Sequence, residues 1–208
     1  MSQLKLLHSG GNGVILAAPT NNPASDVTFK LPQADGTSGQ ALTTNASGQL
    51  GFASIAAGIT EYDEWYLTSS ASSNGDLTSL ARNAFTGSAS PLGTGMSQSS
   101  GIFTFPSTGK WLIIIQLQCL INNQDNVGIT ISVTTNNSSY TMVNGAYDGN
   151  NGSGSRMGGA ASFSFIDVTD TSNVKVKFTA ASLGSGSEIE GRNDYVQTGF
   201  HFIRIGDT

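Results

Sequence analysis

Residues 111 to 121 read WLIIIQLQCLI, and no residue in the run carries a charge. Side chains alternate across a β-strand, so each strand shows two faces that can be scored separately for polarity. Trp111, Ile113, Ile115, Leu117, Cys119 and Ile121 make one wholly apolar side. The reverse side carries Leu112, Ile114, Gln116, Gln118 and Leu120. A strand with no wet side needs cover on both faces, and that requirement limits the chain to architectures with a second cover for one sheet.

Other segments show which sheet needs it. In 127–134, Val127, Ile129, Ile131 and Val133 oppose Gly128, Thr130, Ser132 and Thr134. In 174–179, Val174, Val176 and Phe178 oppose Lys175, Lys177 and Thr179. Both strands have one dry and one wet face. The last strand resembles the central one, with Phe200 and Phe202 on one side and His201, Ile203 and Ile205 on the other. The simplest arrangement puts the two dry strands in one sheet and the two amphipathic strands in its partner. The core then takes Phe103, Phe105, Trp111, Ile113, Ile115, Leu117, Cys119, Phe200 and Phe202. The outward side of the dry sheet holds Leu112, Ile114, Gln116, Gln118, Leu120, His201, Ile203 and Ile205. Leaving such a face in water costs about 25 cal/mol per Å², and a contiguous patch of this kind marks an association surface. A homotrimer is the expected cover; the alternative is the N-terminal segment folding back within one chain.

Strands are expected near 64–69, 77–85, 101–105, 110–121, 127–135, 139–146, 159–168, 173–180 and 197–205, with no competing helical period. Loops rich in Gly, Asn and Ser join them. This pattern predicts an all-β fold, a two-sheet jelly-roll sandwich. Four of the five prolines precede residue 92 and the last is Pro106, so the remaining chain can supply unbroken ladder donors. A boundary follows near Ala57-Gly58, giving a segment 1–57 and a head 58–208. In the first segment Val27, Phe29 and Leu31 alternate with polar neighbours before Pro32, and Ser38-Gly39-Gln40 recurs as Ser47-Gly48-Gln49. Pieces this short do not bury enough surface alone, so the segment is expected to be a β-rich stem or anchor that needs a partner; the alternative is a flexible leader.

Composition excludes several classes. Charged residues form 11% of the chain, and Gly, Ser, Thr and Asn together fill more than two-fifths of it. Ten Phe, five Tyr and two Trp argue against disorder. The net charge is −5 and the nine Lys and Arg are scattered, so no basic stripe exists for nucleic acid. A single cysteine rules out an internal disulfide framework. The N-terminus, MSQLKLLHSGGNG, carries too short an apolar stretch for a signal peptide, and no window reaches the length of a membrane span. A reducing site of synthesis combined with a surface suited to the outside of cells fits a virion protein, made in a host cytoplasm and released by lysis.

Reactive chemistry finds little material. His8 lies in a Gly-rich stretch and His201 mid-strand, where a satisfied structural histidine is expected. Cys119 on the apolar side behaves as a small hydrophobe. The carboxylate pairs Asp63/Glu64, Asp167/Asp170 and Glu188/Glu190 exist, but Arg192 and Asp194 follow the last pair, which reads as a solvated ion cluster. The expectation is no enzyme, no catalytic residues and no cofactor. Ca²⁺ is the metal that NNQDN (122–126) and DGNNG (148–152) could take, with Asp125 and Asp148 as ligands, although Asn-Gly is first a turn signal. Tyr140, Tyr147 and Tyr195 are candidates for stacking against a ligand.

GIFTFPSTGKWLI (101 to 113) and TGFHFIRIG (198 to 206) resemble the central and last strands of the complement C1q and tumour necrosis factor jelly-roll superfamily. EWYLTSSASSNGDLTSLARN (64 to 83) followed by LGTGMSQSSGIFTFPSTGKWLI (92 to 113) is similar to structural proteins of marine and cyanobacterial bacteriophages, and LPQADGTSGQALTTNASGQLGFASI (31 to 55) resembles segments of phage tail and fibre proteins. The resemblance implies a C1q/TNF-like homotrimer whose sheet of first, central and last strands faces the three-fold axis. It also implies a tail- or head-fibre appendage that attaches to another virion protein through residues 1–57 and offers its head to a host-surface glycan. The alternatives are a capsid decoration protein at three-fold sites, or a cellular C1q-like binding module. The chain lacks a collagen-like Gly-X-Y stalk and carries Trp111 where the superfamily commonly has Tyr or Phe.

Overall fold

The computed structural model describes residues 3–7, 9–17, 21, 23–45, 47–54 and 58–208. Among them are sixteen strands and no helix. The chain divides into two compact units, Met1–Ala56 and Ala57–Thr208.

The first unit holds two antiparallel hairpins, β1 (Gln3–Leu7) with β2 (Gly13–Ala17) and β3 (Gln40–Thr44) with β4 (Leu50–Ser54). The repeated Ser-Gly-Gln tripeptides stand at the starts of β3 and β4. In each the glycine has positive φ, 85° at Gly39 and 77° at Gly48, the region glycine adopts without steric cost. The extended run expected at 27–31 forms only an isolated bridge from Lys30 to Gln49, held by the Gln49 amide donating to the carbonyls of Lys30 and Leu31. Val27, Phe29 and Leu31 are all more than 60% exposed. His8 lies outside the described residues.

The second unit is a sandwich of two antiparallel sheets. The strands in chain order are β5 (Tyr62–Leu67), β6 (Gly75–Asp76), β7 (Leu80–Arg82), β8 (Ser97–Ser99), β9 (Ile102–Thr104), β10 (Gly109–Asn122), β11 (Asp125–Thr134), β12 (Thr141–Asn150), β13 (Ser155–Val168), β14 (Lys175–Ala181), β15 (Glu188–Ile189) and β16 (Gly199–Gly206). The first sheet runs β13–β10–β16–β5–β7, with β15 also on β10. The second runs β12–β11–β14–β9–β8, with β6 on β14. The two dry strands, β10 and β16, therefore lie side by side in one sheet, and the amphipathic β11 and β14 pair in the other.

Between the sheets lies one aromatic core. Phe103 packs edge-on to Trp65 at 5.3 Å and to Phe178 at 5.6 Å, and Phe178 meets Phe200 at 4.1 Å. Phe105, Trp111, Ile113, Ile115, Leu117, Cys119 and Phe202 complete it, all buried. Burial pushes the Cys119 thiol up to about 11, so it stays protonated at neutral pH.

Three expectations need correction. The segment 77–85 is not one strand: Gly75–Asp76 pairs with β14 and Leu80–Arg82 with β5, so the chain changes sheet between them while Leu77 enters the core. The loop expected at 148–152 is mostly strand, because β12 runs to Asn150 and only 151–154 forms the tip. Ile205 does not continue the outward row of β16: Lys110 faces Gly206 and Trp111 faces Arg204, which leaves Ile205 in a bulge with no partner on β10.

Candidate association surface and its polar neighbours

Antiparallel register sets the outer face of the first sheet as a series of rows. One row reads Phe165, Leu112, Ile203, Tyr62 across β13, β10, β16 and β5. The next reads Phe163, Ile114, His201, Glu64, and the third Ala161, Gln116, Gly199, Tyr66. Beyond these, Gln118 faces Gly159 and Leu120 faces Met157. Phe163 is 58% and Phe165 62% exposed, their rings edge-on to each other at 5.9 Å. Beside them Leu112, Ile114 and Ala161 line a shallow apolar groove of about 530 Å³. Of the outward residues expected from the sequence, Leu112, Ile114, Gln118, Leu120, His201 and Ile203 are half-buried, while Gln116 and Ile205 are exposed.

Phe163 and Phe165 escaped the sequence reading. In ASFSFIDV the natural inference places phenylalanine inward and serine outward; the fold does the reverse. Ser164, Ile166 and Val168 are buried, and the phenylalanines extend the apolar surface of Leu112 and Ile114 to the sheet edge.

Away from that edge the same face turns polar. The Tyr62 hydroxyl lies 3.1 Å from His201 Nδ1 and 3.4 Å from Glu64 Oε2, and Asn83 Nδ2 donates to Glu64 Oε2 at 2.7 Å. Burial, opposed by the Glu64 carboxylate, holds His201 below the ordinary histidine range and therefore neutral. Burial, reinforced by Glu64, raises Tyr62 to about 12, so its hydroxyl keeps its proton.

Behind this face sits a fully buried carboxylate, Asp63. It accepts from Trp65 Nε1 (2.9 Å), Arg82 Nε (3.0 Å), Ser90 Oγ (2.7 Å) and the Met96 amide (2.7 Å). Arg82 in turn donates to the Met96 carbonyl and stacks 5.1 Å from the Trp65 ring. The signal for it was readable, since Asp63 shares the inward side of β5 with Trp65 and Leu67. A charge placed there needs multiple donors or a counter-ion.

The remaining candidates disperse. Asp148 is paired with Arg156 and accepts from the amides of Gly149 (2.7 Å) and Gly159 (2.9 Å), which outweigh burial and hold its carboxyl below the usual range. Asp125 accepts from the Gly184 amide at 2.8 Å and is held low mainly by the Ser187 hydroxyl. Both carboxylates thus fasten loops and strand ends. Among the described residues no three His, Cys, Asp or Glu side chains gather to hold a metal ion. Asp167 pairs with Lys110, and Asp170 closes a turn by accepting from the Ser172 amide. Glu190, raised by burial and then by Glu188, accepts weakly from Ser70 Oγ. Arg192 pairs with Asp194 and lies 4.4 Å over the Tyr195 ring, in the segment before β16. Tyr140 and Tyr147 belong instead to the second sheet: Tyr140 precedes β12 and lies under Lys177, and Tyr147 is within β12. The three tyrosines do not form one site.

The fold is that of the tumour necrosis factor jelly roll, an all-β sandwich. The Eiger TNF of S. frugiperda superposes with a TM-score of 0.56 at 9% identity, covering 72% of this chain and 95% of that one. Murine APRIL in its pH 5.0 crystal form superposes with a TM-score of 0.52 at 10% identity, covering 70% of this chain and 98% of APRIL. No protein-family model and no curated protein sequence matches the chain.

Proposed function

We propose that the chain is a non-enzymatic, homotrimeric structural protein of a virus particle. In this reading it is an appendage of tail- or head-fibre type, made in the host cytoplasm. Residues 1–57 attach it to another virion protein, and the jelly-roll head binds the host surface. The observation that carries the trimer is the continuous apolar surface of Phe163, Phe165, Leu112 and Ile114 on the outer face of β13 and β10. Two phenylalanines about 60% exposed leave roughly 240 Å² of apolar surface in water, worth about 6 kcal/mol once covered, before the cost of association. The tumour-necrosis-factor type of fold supports the same face as the one that meets the three-fold axis. The virion setting rests on the resemblance, read from the sequence, of residues 31–55, 64–83 and 92–113 to phage structural proteins. The exposed Val27, Phe29 and Leu31 of the first unit suit an attachment segment. Labelled antibody against the head, imaged on intact particles, tests the assignment: label at the tail or on projecting fibres supports it, and label spread evenly over the capsid shell or absent from particles refutes it.

A further inference from the structure

Tyr147 occupies an unusual seat on the outer face of the second sheet. Its register partner is Gly128 on β11, and Gly145 lies two residues before it on β12. A Cβ on Gly128 would fall 2.2 Å from Tyr147 Cδ1, and one on Gly145 would fall 2.6 Å from Cε2. Both edges of the ring therefore rest on bare backbone. The residue as a whole is 40% exposed, so part of the ring is open to solvent. Glycine inside a strand costs about 0.5–1 kcal/mol relative to alanine, and it often marks a place of close approach. Two such glycines under one ring make a flat aromatic platform level with the sheet.

The surroundings are polar and short. Gly128 faces Ala181 on β14, and the next row reads Gly145, Thr130, Thr179, Asp76. Thr179 Oγ1 and Lys177 Nζ each donate to Asp76 at 2.8 Å, one to either carboxylate oxygen. Each oxygen keeps lone-pair capacity for a further donor. The Lys177 cation and the Asp76 anion neutralise one another beside the platform, and Lys175, further along β14, donates to Thr104 Oγ1 and the Thr171 carbonyl.

A register shift between Ile131 and Ser132 extends the platform. It skips Val143, with Asn144 facing Ile131 and Met142 facing Ser132. Seven residues separate Tyr140 from Tyr147, an odd spacing that puts them on opposite sides of a regular strand. The extra residue cancels that, and Tyr140 lies 4.8 Å from Lys177 Nζ on the same outer face as Tyr147. The two rings bracket a stretch of about 20 Å along β12, at about 3.3 Å per residue.

We propose that this outer face of the second sheet is a saccharide-binding surface that takes a short oligosaccharide of neutral hexopyranose units, with one sugar stacked on the open face of Tyr147. Axial C–H bonds on one side of a pyranose carry partial positive charge and meet the negative face of the ring. The Asp76 carboxylate and the Thr179 hydroxyl receive sugar hydroxyls, while Thr130 is buried and takes no part. The proposal rests on the display function above and gives it a site. The site lies on the sheet opposite the association face, so three copies are open at once and weak single contacts multiply.

The test uses the full chain with cellohexaose, chitohexaose and maltohexaose as probes, read by saturation-transfer NMR and titration. At least one probe binds the wild type with a per-site Kd on the order of 1 mM or tighter. Tyr147→Ala weakens that binding at least about tenfold, and Tyr147→Phe keeps it within about threefold. Gly128→Ala, which retains Tyr147 but lifts its ring, weakens binding in the same direction. Circular dichroism and sedimentation mass, measured on each variant, keep loss of fold or of assembly separate from loss of ligand. Absence of binding by all three probes overturns the proposal. So does a folded Tyr147→Ala that binds like the wild type, or loss of binding on Tyr195→Ala in its place. Each of these leaves the trimer reading standing.

Discussion

Replacing Phe163 with alanine tests the association face directly. The side chain is 58% exposed, so roughly 120 Å² of its apolar surface is open to a neighbour, worth about 3 kcal/mol if covered in an assembly. A closed three-fold ring repeats the contact three times, about 9 kcal/mol in all, and the midpoint concentration for assembly varies as the square root of the equilibrium constant. The variant therefore dissociates at a concentration roughly three decades higher than the wild type. Sedimentation velocity over a dilution series reads this: the wild type sediments near 64 kDa, about three times the 21.5 kDa chain mass, and Phe163→Ala moves to the monomer within the accessible range. Phe163 makes few contacts inside its own sheet sandwich, so far-UV circular dichroism of the variant stays unchanged. A wild type that is monomeric at micromolar concentration refutes the reasoning, as does a folded Phe163→Ala with an unshifted midpoint.

Two further perturbations address the groups around that face. Asp63→Ala removes the acceptor of four donors and leaves the Arg82 guanidinium half-sheltered without its partner; the head should lose about 3–5 kcal/mol, measured by urea unfolding. His201 titrates below its ordinary value of 6.5 in the fold, so the unfolded chain binds more protons as pH falls through that value. The contribution of His201 to stability is therefore complete above about pH 7 and declines on acidification below it. His201→Gln should flatten the pH dependence between 7 and 5 in thermal melts, and an unchanged slope would show that the histidine does not carry it.

The parts of the fold legible in the sequence are those where alternation and burial agree. β10, β11, β14 and β16 present their apolar sides as the core, and the contrast between dry and amphipathic strands sorts them into the right sheets. Alternation failed where a strand lies at a sheet edge. In β13 the side carrying Ser164, Ile166 and Val168 faces the core, and the phenylalanine side faces out in register with Leu112 and Ile114 on β10. Bulges were invisible for a related reason. Neither Ile205 nor Val143 announces itself as an extra residue, yet each changes which face its neighbours occupy. Tyr140 and Tyr147 were thus chosen on residue type alone, and only the register shift places them together.

The hairpin of β12 and β13 has a mechanical consequence. Its arms belong to different sheets, and they are tied across by Asn144 Nδ2 to the Phe163 carbonyl (2.6 Å), Asp148 to the Gly159 amide (2.9 Å) and Arg156 to the Gly149 carbonyl (3.1 Å). That side of the sandwich is a bound spine, while the opposite margin ends in three-residue strands, β7 and β8. That margin has its own clasp, because Asp63 of β5 and Arg82 of β7 both hold Met96, the residue before β8. With both margins tied, Asp63→Ala should free the β7–β8 edge, and amide exchange there should then outpace that of β10 and β11.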